Sequence, residues 1–387
     1  MEIPYSKVDC SGKELEYVKE VLESGWLTTA SRAQELERRF RDLIGCKHAL
    51  AVNSCTSALH LALDACGVTT NDKVLVPSLT FTATAEVVRY LGADPVLMDV
   101  DYETGCVTPD ILIDALNTDP TIKAVIVVHF AGYPIEMNNA ERTGIADICK
   151  RRGVRLISDA AHALPARRNG EYVGNAGDAT CFSFYANKTM TTGEGGLIAT
   201  NDAEIAARAS LMRLHGIDRD VWDRFTKKGG AWEYDVLAPG FKYNMPDLNA
   251  AVGLAQFERL DDMRAARQKC AEYYLSELSS VVDLDLFGRN ISAEDHAWHL
   301  FPIVVRPGSN VSRNSLIDQL KSLGIGTSVH YKPIHRLSYY RERYGFAEAN
   351  YPSTERIWKG CVSLPIYSGL LQIELEHVVR SVKKCLA

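Results

Sequence analysis

The sequence lacks the features that mark membrane and nucleic-acid-binding proteins. No apolar run approaches the roughly 18 residues needed to cross a bilayer, and residues 1–7 lack the apolar core of a secretory signal. The net charge is −6 and no basic run is present, which argues against a nucleic-acid-binding surface. No G-x-G-x-x-G follows the first predicted strand, so a Rossmann dehydrogenase is disfavoured. We therefore expect neither a membrane nor a nucleic acid as a partner.

The ten cysteines are not arranged for metal binding or for a disulfide framework. They are scattered along 387 residues, and no two form a C-x-x-C pair. Most fall in apolar patterns, where a free thiol behaves as a small hydrophobic residue. We expect a cytoplasmic chain with reduced thiols and no metal site.

Strand and helix patterns alternate over the first two-thirds of the chain. Apolar runs such as 48–52, 122–130 and 154–158 are separated by amphipathic stretches. The run at 122–130 is nearly continuous Val and Ile, as expected for a strand buried on both faces of a parallel sheet. These patterns predict an α/β fold with a large, mostly parallel sheet and helices on both faces.

The pattern changes near residue 260, which predicts a second domain. Residues 245–278 read as one long helix, and the segments that follow predict a smaller α+β unit. We place a large α/β domain at 1–260 and a small C-terminal α+β domain at 261–387.

Polar residues just beyond the strands are the candidates for chemistry, because ligands of parallel α/β sheets bind at the carboxyl ends of the strands. Asp159 directly follows the apolar run 154–158, although a lone Asp there could simply cap a helix. Lys188 is the only charged residue between Asp178 and Glu194. A lysine in an apolar, partly buried loop loses its proton more easily, and a neutral lysine amine is typical of Schiff-base chemistry.

Lys188 and Asp159 match two of the four features that pyridoxal 5'-phosphate (PLP) needs from a protein. These features are a lysine for the aldehyde, a carboxylate for the pyridine nitrogen, a phosphate cup and a partner for the ring. The turn at 54–57 could bind phosphate through free backbone N–H groups, although such turns often only cap a helix. Ser183 could add a hydroxyl group to the same phosphate site.

Phe81 and His162 each lie just beyond a predicted strand end and are candidates to flank the cofactor ring. Taken alone, Phe81 is more typical of a core aromatic residue, and His162 could equally be an ordinary buried histidine. The combination of lysine, carboxylate, turn and ring partners indicates a PLP site more strongly than any one of them.

Six segments spread over nearly the whole chain carry a resemblance to a known family. They are 24–29, 53–60, 77–81, 159–163, 183–196 and 239–247. With these segments in this order, the chain resembles the DegT/DnrJ/EryC1/StrS family of PLP-dependent sugar aminotransferases. The resemblance implies fold type I, the aspartate-aminotransferase-like fold, with a homodimer as the minimal active unit.

The resemblance also implies roles for the candidate residues. Lys188 would hold PLP as a Schiff base, and Asp159 would pair with the pyridine nitrogen. His162 would lie near the phenolic oxygen of the cofactor, and Phe81 would pack against one face of its ring.

The same resemblance assigns the phosphate to residues from two subunits. The backbone of Cys55 and Thr56 and the hydroxyl of Ser183 would hold it within one chain. Asn244 would reach it from the other subunit, which places the active site at the interface of a homodimer.

Substrate contacts are expected on the sugar side of the cofactor. The candidates are Trp26, Thr28, Thr29 and His330, together with two basic residues, Arg224 and Lys242, that would meet a carboxylate or diphosphate. Either basic residue could instead be an exposed surface charge. Two departures from the family pattern occur nearby: Ala30-Ser31 replaces the common Gly-Pro, and no histidine follows Ser183-Phe184.

The expected reaction is ping-pong transfer of an amino group from L-glutamate to a nucleotide-linked keto-sugar through Lys188. The segments 296–301, 324–330 and 339–343 are most similar to enzymes that aminate UDP-linked 4-keto-pentoses for lipid A modification. They also occur, less completely, in enzymes acting on 6-deoxy-hexoses and other sugars, so dTDP-linked, GDP-linked and nucleotide-free keto-sugars stay open.

Two rival functions stay open within the same family. Dehydratase relatives carry a histidine at the lysine position, so Lys188 argues against that reaction. A non-catalytic PLP-binding sensor would form the Schiff base without meeting a sugar. Such regulators usually carry a DNA-binding domain, for which we expect no room at either terminus.

Overall fold

The computed structural model describes residues 1–218 and 234–387. The predicted substrate residue Arg224 lies outside the described residues. In the described ranges the α-helices are α1 (Glu14–Ser24), α2 (Ser31–Ile44), α3 (Cys55–Ala65), α4 (Thr82–Tyr90), α5 (Pro109–Thr118), α6 (Ile145–Arg152), α7 (Ala203–Met212), α8 (Asp247–Phe257), α9 (Leu260–Leu278), α10 (Arg313–Ser322), α11 (Ser338–Tyr344), α12 (Pro352–Gly360) and α13 (Gln372–Leu386). The strands are β1 (His48–Val52), β2 (Lys73–Pro77), β3 (Asp94–Met98), β4 (Ile122–Val128), β5 (Arg155–Asp159), β6 (Arg167–Arg168), β7 (Glu171–Tyr172), β8 (Ala179–Ser183), β9 (Gly196–Thr200), β10 (Leu284–Leu286), β11 (Phe301–Val305) and β12 (Cys361–Leu364).

Seven strands form one large sheet in the order β1-β9-β8-β5-β4-β2-β3. Only β9 runs antiparallel to its two neighbours, so the prediction of a mostly parallel sheet is confirmed. Along β4, Ala124 and Ile126 join the core on one face, whereas Val125 and Val127 join the core on the other. Burial on both faces explains why this strand reads as a continuous apolar run.

The carboxyl edge of this sheet brings the candidate residues together. Asp159 and Ser183 are the last residues of β5 and β8, and α3 begins at Cys55, shortly after β1 ends. Gly196 begins the antiparallel strand β9 at the same edge, where it pairs with Val52 and Ser183. The topology therefore places strand ends that are distant in sequence at one edge of the sheet.

A smaller antiparallel sheet, β10-β11-β12, forms a second unit. Its core also contains residues from α9, α10 and α13, for example Tyr274, Leu316 and Val378. Ile3 joins this core and forms a bridge with Ile325, so the N-terminal segment packs against the C-terminal part of the chain. The domain division at residue 260 stays a prediction.

The prediction of one long helix over 245–278 is wrong, because the chain leaves the helix between α8 and α9. Arg259 adopts φ −113° and ψ 9° at this break. Its guanidinium donates to the Asp9 carboxylate at 2.6 Å, and the neighbouring Glu258 carboxylate accepts from the Tyr17 hydroxyl. No Gly or Pro lies at the break, and both residues of the break contact the N-terminal segment.

None of the described helices is long and apolar enough to cross a membrane. The ten cysteines are all free thiols, and nine of them are at least partly buried. In residues 1–218 and 234–387, no group of His, Cys, Asp or Glu side chains is arranged to hold a metal ion.

Candidate active site

A cavity of 470 Å³ opens at the carboxyl edge of the large sheet. Eight of the predicted site residues line it, from both halves of the chain. They are Cys55, Thr56, Phe81, Asp159, His162, Ser183, Lys188 and His330. The structure thus brings the predicted cofactor residues, except Asn244, into one place.

The Asp159 carboxylate is buried, with 6 % of the residue exposed, and it faces this cavity. One oxygen accepts a hydrogen bond from the Thr84 hydroxyl at 2.8 Å, and the other accepts from the Ala161 N–H at 3.1 Å. No helix begins after Asp159, so it is not a helix cap. No cation among the described residues forms an ion pair with Asp159. Burial raises its pKa, although the Ala161 and Thr84 hydrogen bonds and the Lys188 amine oppose this shift.

Lys188 reaches the same cavity from the loop after β8. Its backbone N–H donates to the Tyr185 carbonyl at 3.0 Å, which fixes the turn that presents the side chain. Burial lowers the pKa of Lys188 to about 8, while the Cys55 thiol and the Asp159 carboxylate oppose this shift. A lysine with this lowered pKa supplies a neutral amine far more readily than a surface lysine.

Two buried histidines stand beside Lys188. The rings of His162 and His299 lie 4.5 Å apart between centroids, and Nε2 of His299 is 3.4 Å from Nζ of Lys188. Nε2 of His162 lies 3.0 Å from the Tyr331 hydroxyl. Burial lowers the pKa of both histidines well below the usual value, so both rings are neutral near pH 7.

The N-terminus of α3 forms the anion-binding part of the cavity. The Ser54 hydroxyl caps the helix by accepting from the Ser57 N–H at 3.0 Å. In the described structure, the N–H groups of Cys55 and Thr56 donate to no other residue, so both stay available to a phosphate. Capping and anion binding are therefore compatible, because they use different N–H groups.

Gly196 shapes the same corner of the cavity. A Cβ atom at this position would lie 2.4 Å from the carbonyl carbon of Ser54 and 2.6 Å from the amide nitrogen of Cys55. Because such contacts are too short for carbon atoms, only glycine allows β9 to pass this close to the start of α3. The Ser183 side chain lines the cavity at the position paired with Gly196.

Phe81 is not a core residue, since 57 % of it is exposed. Its ring lies 5.7 Å from the ring of Tyr331, and both residues line the cavity. His330, the adjacent residue, is held by a 2.8 Å hydrogen bond between its Nδ1 and the Ser363 hydroxyl. Phe81, His330 and Tyr331 therefore line one cavity with residues of the sheet edge.

Five of the predicted residues lie elsewhere within the chain. Thr29, Lys242 and Asn244 form a hydrogen-bonded group, the Asn244 cluster, in which the Asn244 amide contacts both the Thr29 hydroxyl and the Lys242 amine. Trp26 and Thr28 lie on the same turn as Thr29, and Thr28 accepts from the Asp247 N–H. None of these residues lines the Lys188 cavity of its own chain.

Three residues that contact predicted site residues were not predicted from the sequence: Thr84, His299 and Tyr331. Thr84 lies inside α4, where a threonine gives no pattern of its own. His299 belongs to the segment 296–301 that resembles relatives, so that likeness was the available signal for it, whereas Tyr331 follows directly after the segment 324–330.

The residues of the cavity fit PLP. A buried carboxylate without a cationic partner matches a protonated pyridine nitrogen, and the free N–H groups of α3 match a phosphate. The buried Nδ1 of His162 has no hydrogen-bond partner among the described residues, which leaves it available to a bound group.

Comparisons with known proteins agree with this fit. Residues 9–383 match the DegT/DnrJ/EryC1/StrS aminotransferase family. The spore coat polysaccharide biosynthesis protein SpsC of Bacillus subtilis is 38% identical over 383 residues, covering 98% of this chain and 96% of SpsC.

Solved structures of other aminotransferases share the fold of this chain. Helicobacter pylori PseC, an aminotransferase involved in the biosynthesis of pseudoaminic acid, superposes with a TM-score of 0.90 at 26% identity, covering 100% of this chain and 99% of PseC. The PLP-form of Spr1654 from Streptococcus pneumoniae gives 0.88 at 29% identity, covering 100% and 98%.

The architecture and the cavity together define a PLP-dependent aminotransferase of fold type I. The chain belongs to the DegT/DnrJ/EryC1/StrS aminotransferase family. Its cofactor is pyridoxal 5'-phosphate.

Proposed function

We propose that this aminotransferase moves an amino group from L-glutamate to a nucleotide-linked keto-sugar, with Lys188 as the catalytic base and acid. The observation that carries the site assignment is the pairing of Lys188 with Asp159 across one cavity. A buried carboxylate without an ion-paired cation and a buried lysine with a lowered pKa each cost folding free energy. A PLP site needs both of these groups.

When bound, PLP supplies an aldehyde that takes up the amino group and a ring that delocalises the electron pair left by a departing proton. Asp159 would hold a proton at the ring nitrogen, and Thr84 keeps that carboxylate oriented. The free N–H groups of Cys55 and Thr56 and the Ser183 hydroxyl would hold the phosphate.

Lys188 would then move one proton between the substrate carbon and the cofactor carbon. Burial has lowered its pKa to about 8, so a useful fraction of the Lys188 amine is neutral near pH 7 and can accept this proton. The neutral rings of His162 and His299 beside it add no positive charge that would oppose protonation of the amine. Phe81 and Tyr331 would limit the access of water from the open side of the cavity.

The sugar substrate is supported by relatives rather than by the cavity alone. SpsC is named for polysaccharide biosynthesis, and Spr1654 is provisionally named a sugar aminotransferase. A UDP-linked 4-keto sugar is our preferred substrate because of the segments 296–301 and 324–330. The dTDP-linked, GDP-linked and nucleotide-free keto-sugars are the alternatives.

We further propose a homodimer whose partner subunit completes each site. Asn244, Thr29 and Trp26 lie outside the cavity of their own chain, although the family resemblance assigns them to cofactor and substrate. A two-fold axis that brings the Asn244 cluster of one chain to the Lys188 cavity of another would reconcile these observations.

The experiment has two stages. Adding L-glutamate to the PLP-loaded protein should convert the cofactor to its amino form and release an equal amount of 2-oxoglutarate. A panel of UDP-, dTDP- and GDP-linked keto-sugars is then offered to the aminated protein, and amination is read by mass spectrometry.

The outcomes separate the candidates. Amination of a UDP-linked 4-keto sugar, with restoration of PLP, supports the proposal. Conversion by glutamate without amination of any keto-sugar would reject the sugar assignment and keep the transaminase. No conversion by glutamate would instead favour the PLP-binding sensor.

A further inference from the structure

His299 lies behind Lys188 and does not line the cavity. The residue is 5 % exposed, and its Nε2 is 3.4 Å from Nζ of Lys188. Nδ1 of the same ring has no hydrogen-bond partner in the described part of the chain. The contact with Lys188 is therefore the one hydrogen bond that this ring makes there.

The backbone around His299 is held firmly in place. The Ala297 and Leu300 N–H groups donate to the Gly132 and Ala131 carbonyls at 3.1 and 3.2 Å. The buried Arg267 guanidinium donates to the His299 carbonyl at 3.2 Å. A ring mounted on a segment with these contacts has little freedom to move.

Arg267 makes this support unusual. Its guanidinium is buried and also donates to the Trp298 and Ile366 carbonyls, at 3.3 and 3.0 Å. Among the described residues, its hydrogen-bond partners are three backbone carbonyl oxygens and no carboxylate. Burying such a cation costs free energy. Here its hydrogen bonds hold the backbone of the two residues that precede Leu300.

We propose that His299 is a positioning residue that holds Nζ of Lys188 in the geometry needed for proton transfer. The proposal rests on the proposed role of Lys188 and extends it. When the amine is free, its N–H donates to Nε2 of His299, which leaves the amine lone pair directed at the cavity. Proton transfer depends steeply on such alignment, and a misplacement of about 1 Å can cost on the order of 100-fold in rate.

The matched variants are His299→Asn, His299→Gln and His296→Asn. Asparagine is too short to place an acceptor where Nε2 lies, whereas glutamine reaches that point. His296 lies three residues earlier, is 2 % exposed and stacks on Trp298 without contacting Lys188. It therefore reports any general damage to the segment.

The first readout uses the cofactor-free protein. Reductive methylation of Lys188 is measured by peptide mass spectrometry against Lys359, whose side chain is 72% exposed. We expect His299→Asn to raise the relative rate at Lys188 about three- to tenfold, since the amine no longer has to break a hydrogen bond. His299→Gln and His296→Asn should stay near the wild-type value.

The second readout is the glutamate half-reaction with ordinary and α-deuterated L-glutamate. We expect His299→Asn to slow it about 10- to 100-fold, with a larger deuterium isotope effect and a small change in KM. His299→Gln should recover most of the rate, and His296→Asn should keep the wild-type isotope effect.

Several results would overturn the role of His299. They are an unchanged methylation rate or isotope effect in His299→Asn, and an equal change in His296→Asn. If His299→Asn does not fold, the His299→Gln variant tests the proposal instead. A folded His299→Gln protein that is as slow as Lys188→Ala would reject the positioning role of His299. The methylation readout needs neither cofactor nor glutamate, so it stands even if the wild-type protein proves inactive toward glutamate.

Discussion

The Lys188 cavity and the Asn244 cluster differ in how far one chain completes their contacts. In the cavity, Asp159 is bonded to Thr84 and Lys188 lies against His299, so each reactive group has its support within the same chain. In the Asn244 cluster, the Asn244 amide bonds to Thr29 and to Lys242, and none of these three residues lines the Lys188 cavity of its own chain. One chain therefore assembles the proton-transfer machinery, and a second copy would supply the remaining contacts.

The largest effect is expected for Lys188→Ala, which removes the amine that moves the proton. We expect turnover to fall by at least ~10³-fold, together with weaker retention of PLP. The glutamate half-reaction and the cofactor absorbance measure the two effects. Lys359→Ala is the control because that side chain is exposed, and a Lys188→Ala enzyme with the normal rate and absorbance would reject the site.

Asp159→Asn should come next, because an amide cannot hold a proton at the ring nitrogen as a carboxylate does. We expect the half-reaction to slow by roughly 10²-fold. The cofactor-free variant should nevertheless unfold at a slightly higher temperature than the wild type at pH 7. An equal loss of stability and activity would show that Asp159 is structural.

The sign of that stability effect follows from the raised pKa of Asp159. A folded-state pKa above the unfolded value means that ionisation weakens the folded state as pH rises through both values. Asparagine removes this penalty at neutral pH. The difference in unfolding temperature should shrink as pH falls through the folded-state pKa of Asp159, which scanning calorimetry at several pH values measures.

A smaller effect is expected for Thr84→Val, which keeps the shape of the side chain and loses its hydroxyl. The Asp159 oxygen then loses a 2.8 Å hydrogen bond, and we expect the half-reaction to slow about three- to tenfold. Thr84→Ser, which keeps the hydroxyl, should stay close to the wild type. If both variants behave alike, the hydroxyl does not orient the carboxylate.

The sequence predicts the parts of the cavity that lie at strand ends. Asp159 and Ser183 could be named because a buried strand leaves a clear apolar run, and the residue that ends it faces the ligand edge. Thr84, His299 and Tyr331 could not be named from periodicity, because they meet their partners across 75, 111 and 169 residues. Such contacts depend on how elements pack, and a single sequence does not reveal that.

The same limit explains the error in the helix over 245–278. Helical periodicity continues through Glu258 and Arg259, and local propensity alone gives no reason to stop. At the break Arg259 contacts Asp9, which lies 250 residues away, and such a contact cannot be read from local periodicity.

Mixing two inactive variants tests most directly whether a second copy completes the site. Lys188→Ala and Asn244→Asp are each expected to be severely impaired, the latter because a carboxylate would repel the phosphate. When they are mixed under conditions that exchange subunits, a mixed dimer contains one site with both Lys188 and the partner's Asn244 intact. Random pairing should restore about a quarter of the wild-type activity. Activity that stays at the level of the separate variants would contradict a site shared between two chains.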